Sequence, residues 1–276
     1  MAVGLRGSAG IAAPPYTKGP YTWDQRVNFT AGIGGAFTQQ YKGTDVWYVD
    51  KTNNGGSGDG KTWDTAFITI AEAIAAAGNY DTIFIGPGEY EERAVFNITQ
   101  VGLKIFGSQN GSGSHYQGTS IYMAVNYYGV DSAVIFNVGS NAVEIGYISF
   151  TQWSANPAIL TKTTENVYGM YVHDCTFNNG QETGAEGIRF GGVGNDAPGT
   201  VIERCYFTEG VDTYIYMNGG ASQVKDCVFD LSTACIGVAY VPNAASRPRG
   251  IIARCSFVSE DHTNARGISV VNTPTA

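Results

Sequence analysis

Apolar and polar positions alternate with period two over short stretches of this chain, break at a two-residue bend, and then resume. The same eight-residue phrase occurs five times, at Val143–Phe150, Met170–Phe177, Thr200–Phe207, Ser222–Phe229 and Gly250–Phe257. Each copy sets aliphatic residues inward around an outward one, bends, and closes with Cys-x-Phe pointing inward (Ile-x-Phe in the first copy). The final Phe residues recur 27, 30, 22 and 28 positions apart. A period of that length, built from strand-like pieces, belongs to a solenoid.

A second column of strand-like segments lies between the copies: Ala133–Phe136, Ala158–Leu160, Gly187–Phe190, Tyr214–Met217, Cys235–Val238 and Gly267–Val270. Gly, Asn, Pro and Thr clusters flank each of them and mark turns. Two or three strands per turn, stacked in parallel about 4.8 Å apart, predict a right-handed parallel β-helix. Further strands are expected at 46–49, 82–85, 95–98, 103–106 and 120–123. Thr69 and Glu72 form a capping box ahead of a short helix over 70–77, ended by Gly78 and placed to cover the open end of the coil.

Composition narrows the class further. Charged residues are only 14% of the chain, with 37 Gly and 17 Tyr, the profile of a turn-rich β protein. The net charge of −8 disfavours a nucleic-acid partner, and no apolar run reaches the length of a membrane span. The first residues lack the continuous apolar stretch of a secretory signal, so export by that route is not expected. Cys175, Cys205, Cys227 and Cys255 share one template position and are expected as a column of buried thiols rather than disulfides.

Residues 1–44 carry isolated aromatics at Tyr16, Tyr21, Trp23, Phe29 and Phe37 among Pro and Gly, with no sustained period. Such a segment suits an extended arm for anchoring or assembly, or one folded back along its own coil. Residues 45–276 are then a single β-helix domain. The loop from Asp50 to Gly60 has the spacing of a calcium loop until Lys61, which stands where the bidentate Glu belongs, so neither a metal nor another cofactor is expected.

Trp47–Asp50, Gly58–Trp63, the 70–77 helix and Asp81–Tyr90, together with the Cys-x-Phe coils, resemble the pectate-lyase-like superfamily of β-helices over about residues 45–273. That superfamily includes polysaccharide lyases and hydrolases, pectin methylesterases, phage tailspikes and non-enzymatic virion proteins. The irregular arm looks most like the phage structural branch. This resemblance implies a non-enzymatic virion component, such as a decoration, spike or fibre protein, made in a host cytoplasm. Its partners would be capsid or tail proteins and copies of itself, with a trimer favoured. The alternative is a polysaccharide lyase, a hydrolase or a glycan-binding module on the same scaffold.

Catalysis would need paired carboxylates, one of them raised in pKa. The bend residues Asp174, Arg204, Asp226 and Arg254 instead alternate in sign and predict a compensated charge ladder. No catalytic residue is therefore assigned. His115, His173 and His262 read as solvated loop or bend residues. Tyr127, Tyr128, Trp153, Tyr168, Tyr171, Tyr206, Tyr214 and Tyr216 include several aromatics expected to face outward, and the candidates for glycan or subunit contact are Trp153, Tyr168, Tyr171 and Tyr206.

Overall fold

The computed structural model describes residues 45–53, 58–92, 95–108, 119–123, 134–151, 156–161, 166–178, 186–191, 197–208, 212–218, 221–231, 235–241, 250–259 and 265–270. All of them fall within one unit, Gly43–Ala276. The arm, with Tyr16, Tyr21, Trp23, Phe29 and Phe37, lies outside the described residues, as does Trp153.

Among the described residues, short strands wind as a right-handed parallel β-helix with three sheets of eight, seven and seven strands. The eight-stranded sheet runs from Val46–Val49 through Thr82–Ile85, Lys104–Phe106, Glu144–Gly146, Tyr171–His173, Val201–Glu203 and Gln223–Lys225 to Ile251–Ala253. Each repeat copy supplies one strand to this sheet and, past the bend, one to a seven-stranded sheet that begins at Gly88–Glu92 and ends at Ser256–Val258. The intervening segments form the third sheet, from Phe96–Ile98 to Arg266–Val270. Every neighbouring pair is parallel, so one coil's residue sits over its template partner in the next.

The bends are sharp because their second residue takes a left-handed backbone. Tyr147, Asp174, Arg204, Asp226 and Arg254 have φ of 60°, 51°, 52°, 53° and 53°. This region costs an L-residue about 1–2 kcal/mol, and the stack offsets that cost. The amides of Asp174, Arg204 and Asp226 each donate to a carbonyl of the next coil at 3.1 Å. The amide of each left-handed residue is thus paired across the stack at those three corners.

Inside, Phe150, Phe177, Phe207, Phe229 and Phe257 form one file with ring centroids 5.0, 4.9, 4.8 and 4.8 Å apart and planes within 13° of parallel. The first four are fully buried. Beside them, Cys175, Cys205, Cys227 and Cys255 are free thiols. Each donates to the carbonyl two residues earlier, at 3.2–3.4 Å. That contact explains why a small weak donor suits the position better than a larger apolar residue.

The helix Ile70–Ala76 buries Ile70, Ala73 and Ile74 and carries the expected capping box at Thr69 and Glu72. Its end differs from the sequence reading. Ala77 closes it in an extended conformation, and Gly78 gives its amide to Asp81 instead of reversing the chain. The Asp81 carboxylate also accepts from the Asp45 amide and the Trp47 indole, both at 2.9 Å, which ties the first strand to the cap. Gln100 donates to the carbonyls of Ile74 and Ala77 and closes the helix from the next coil. No helix among the described residues is long and apolar enough to cross a membrane.

Candidate functional site

The outer face of the eight-stranded sheet concentrates the chemistry of the coil. Its central outward column reads Tyr48, Phe84, Phe106, Gly146, His173, Glu203, Lys225 in register. The first three form an aromatic file with centroids 6.1 and 5.9 Å apart, tilted by 27° and 37°. Trp63 packs on Tyr48 at 4.7 Å, and Tyr147 continues the file from Phe106 at 6.2 Å. Apart from the Trp63–Tyr48 contact, these separations exceed those of the inner Phe ladder, so the outer rings from Tyr48 to Tyr147 cover one another less and leave apolar surface toward solvent. Trp63 and Tyr147 are 48% and 41% exposed.

At Gly146 the file has no side chain, and the imidazole of His173 fills the gap. A Cβ on Gly146 would lie 2.6 Å from His173 Cε1, so only glycine admits the ring. His173 is buried, stacked on Tyr171 at 4.4 Å and met edge-on by Tyr147 at 5.2 Å. Its Nδ1 lies 2.7 Å from Asp174 Oδ2 and its Nε2 lies 3.2 Å from Glu144 Oε1. The expectation of a solvated histidine is corrected here: coil stacking, which no local window reveals, encloses the ring.

Beside and beyond His173 the face is ionic and paired. Lys104 reaches Glu144 at 3.2 Å. Arg204 grips Asp174 with Nε at 2.9 Å and a terminal nitrogen at 2.7 Å, and its other terminal nitrogen lies 3.1 Å from Glu203. The Tyr171 hydroxyl donates to Glu203 at 2.7 Å, and Lys225 stands 3.8 Å from the same carboxylate. Arg254 and Asp226 form a second bidentate pair at 2.6 Å. Two steps of the predicted ladder, Asp174–Arg204 and Asp226–Arg254, are thus present, the first drawn into a wider network through Glu203. Arg204 turns to Asp174 and Glu203 rather than to Asp226, because Glu203 stands beside it and shares the load.

These contacts set the acidities. The Arg204 guanidinium, then His173, holds the Asp174 carboxyl below its ordinary 3.8. The Tyr171 hydroxyl, then Arg204 and Lys225, does the same for Glu203, and Arg254 does so for Asp226. Burial, followed by the bond to Glu203, pushes the Tyr171 phenol up. Such carboxylates accept hydrogen bonds and do not hold a proton to donate near neutral pH. Asp50 accepts from Thr52, and Asp59 from Thr65 and Lys61, within the part of the 50–60 loop that is described. Among the described residues no group of three or more His, Cys, Asp or Glu is arranged to hold a metal ion.

Of the three contact candidates among the described residues, Tyr171 alone stands in this face, and Trp153 lies outside them. Tyr206 is 38% exposed on a seven-stranded sheet, and Tyr168 is 50% exposed on the loop before Tyr171. Tyr214, from the set in which several outward aromatics were expected, is fully buried near Phe207 and Phe229, its hydroxyl donating to the Asp230 carbonyl at 2.5 Å. Tyr216 does lie on the outer side, under the Arg189 guanidinium at 4.5 Å. The sequence reading missed Tyr48, Phe84, Phe106, Trp63 and Tyr147. The signal was present, since the first three occupy outward positions of period-two strands.

No protein-family profile matches the chain, and no curated protein matches it by sequence. Solved structures do. A pectin methylesterase mutant in complex with a hexasaccharide superposes with a TM-score of 0.55 at 17% identity, covering 78% of this chain and 66% of that one. A rhamnogalacturonan lyase gives a TM-score of 0.45 at 12% identity, covering 72% and 69%. ORF18 of Geobacillus virus E2 gives 0.25 at 15% identity, covering 79% and 62%. The first of these likenesses shows a common parallel β-helix fold. This chain spans 66% of that enzyme's length.

Proposed function

We propose that this chain binds a carbohydrate polymer along the outer face of its eight-stranded sheet. The observation that carries this reading is the file Trp63–Tyr48–Phe84–Phe106–Tyr147, which runs along the coil axis with Tyr48, Phe84 and Phe106 on strands and Trp63 and Tyr147 on the flanking loop and bend. Its ring-to-ring spacing is on the order of one pyranose unit. Aromatic rings offer apolar faces to the C–H faces of sugars, and the adjacent ion-paired network offers hydrogen-bond donors and acceptors to hydroxyls. The likeness in fold to a structure solved with a hexasaccharide is compatible with this use of the scaffold.

Binding without turnover fits the site better than a glycoside hydrolase does. A glycosidase acid needs a raised pKa, whereas Asp174, Glu203 and Asp226 are all held low by their partners. Affinity electrophoresis of the full chain through gels containing a panel of polysaccharides tests the reading. Retardation by at least one polymer supports it, and unaltered mobility in every gel overturns it.

The aromatic arm is the sequence feature that favours a second, compatible reading. In it the coil is a rigid body of a virion, anchored by Tyr16, Tyr21, Trp23, Phe29 and Phe37 and associated with copies of itself. Deleting residues 1–40 and measuring incorporation into particles tests that anchoring. Normal incorporation would remove it.

A further inference from the structure

We infer that the polymer taken by this face is a neutral polysaccharide and that polyuronates are excluded; the inference rests on the glycan-binding reading above. A polymer with a carboxylate on each sugar needs cations free to meet it. Here Lys104, Arg204, Lys225 and Arg254 are matched by Glu144, Asp174, Glu203 and Asp226 within the same strip of surface. The pairing at Arg204 and at Arg254 is bidentate, the strongest form a guanidinium makes with a carboxylate.

Among the described residues the aromatic end of the file is no better supplied with positive charge. Lys61 lies with its ammonium 3.4 Å from the centre of the Trp47 ring and 3.1 Å from Asp45. Lys51 spends its ammonium on the Glu89 carbonyl. An incoming uronate would have to displace a resident carboxylate and leave it unpaired beside the new one. The whole chain adds a net charge of −8, so the long-range field opposes a polyanion before contact.

A neutral chain meets none of these costs. Its C–H groups pack against the exposed parts of Tyr48, Phe84 and Phe106, and its hydroxyls donate to carboxylates that ion pairing keeps ionised. Affinity then comes from stacking and from short-range hydrogen bonds, which salt screens little.

The test is equilibrium binding of the full chain to dextran, a mixed-linkage β-glucan and a galactomannan, against polygalacturonate and alginate, at low and high salt. The expected result is binding to at least one neutral polymer, with a dissociation constant that changes by less than about threefold across the salt range. Binding confined to the polyuronates and abolished by salt would overturn the inference while leaving glycan binding intact. Binding to no polymer would overturn the glycan reading itself.

A second arm uses the double variant Asp174→Asn with Glu203→Gln, which uncovers Arg204 and Lys225. It should acquire polyuronate binding at low salt, at least about tenfold tighter than the parent. A folded variant with no such gain would overturn the charge argument.

Discussion

The imidazole of His173 lies over Gly146 of the preceding coil, where an added Cβ would come within 2.6 Å of its Cε1. Two residues 27 apart in sequence therefore specify each other, and the ring so placed joins the aromatic file to the ion-paired network. Gly146→Ala must move the ring off Glu144 and Asp174. Overpacking of this kind costs about 1–3 kcal/mol. Urea denaturation should show that loss, and an unchanged midpoint would mean that the ring has room elsewhere.

The inner ladder carries more of the stability than the outer file does. Phe207 is fully buried between Phe177 and Phe229, at 4.9 and 4.8 Å. Phe207→Ala should cost about 3–5 kcal/mol, since neighbouring coils relax only partly into the space. Phe106→Ala, on the partly exposed outer face, should cost much less. Equal losses in the two variants would place Phe106 in the core.

Ala142 holds φ of 57° on an exposed turn. Glycine accepts that backbone without the Cβ clash, although it gains freedom in the unfolded chain. Ala142→Gly should therefore stabilise by up to about 1 kcal/mol, and Ala142→Val should destabilise. Thermal melting of the two variants reads the difference. The reverse order would contradict the left-handed assignment.

Acid should loosen the coil through Asp174, Glu203 and Asp226. All three have carboxyls held below the ordinary 3.8 of Asp or 4.5 of Glu. A depressed folded-state pKa contributes stability that is present above the unfolded value and lost as pH falls through the folded one. The melting temperature should therefore hold down to about pH 4.5 and then fall. Asp174→Asn with Glu203→Gln should flatten that fall, and an identical acid slope would sink the assignment.

Thiol chemistry checks the solenoid's interior. Burial pushes the Cys205 thiol well above its ordinary 9.0, and it is enclosed on all sides, whereas Cys255 sits half-covered in the last described coil. Under native conditions a thiol-specific disulfide reagent should label Cys255 first and reach Cys175, Cys205 and Cys227 only with unfolding. Prompt labelling of all four would show an open interior.

Much of this architecture was legible in the sequence because a solenoid repeats its rules. The period-two alternation and the recurring Cys-x-Phe placed Phe150, Phe177, Phe207, Phe229 and Phe257 in one inner file. The bend residues were legible as corners for the same reason. What escaped depends on neighbours a coil away. His173 is enclosed because Gly146 lacks a side chain, and Arg204 chooses Asp174 because Glu203 shares its charge. The side taken by Tyr214 could not be read from the sequence, because Thr213, Tyr214 and Ile215 are all buried and strict alternation fails there. The outer aromatic file was readable strand by strand. It becomes a surface only when Tyr48, Phe84 and Phe106 are stacked in register.

The most direct test of the central claim compares polysaccharide binding by the parent chain, by Phe84→Ala with Phe106→Ala, and by Tyr206→Ala on another sheet. Circular dichroism would confirm an intact coil in each. Removing two stacking rings should weaken binding by at least about tenfold, while Tyr206→Ala should leave it unchanged. Full affinity in the double variant, or a loss confined to Tyr206→Ala, would contradict the assignment of this face.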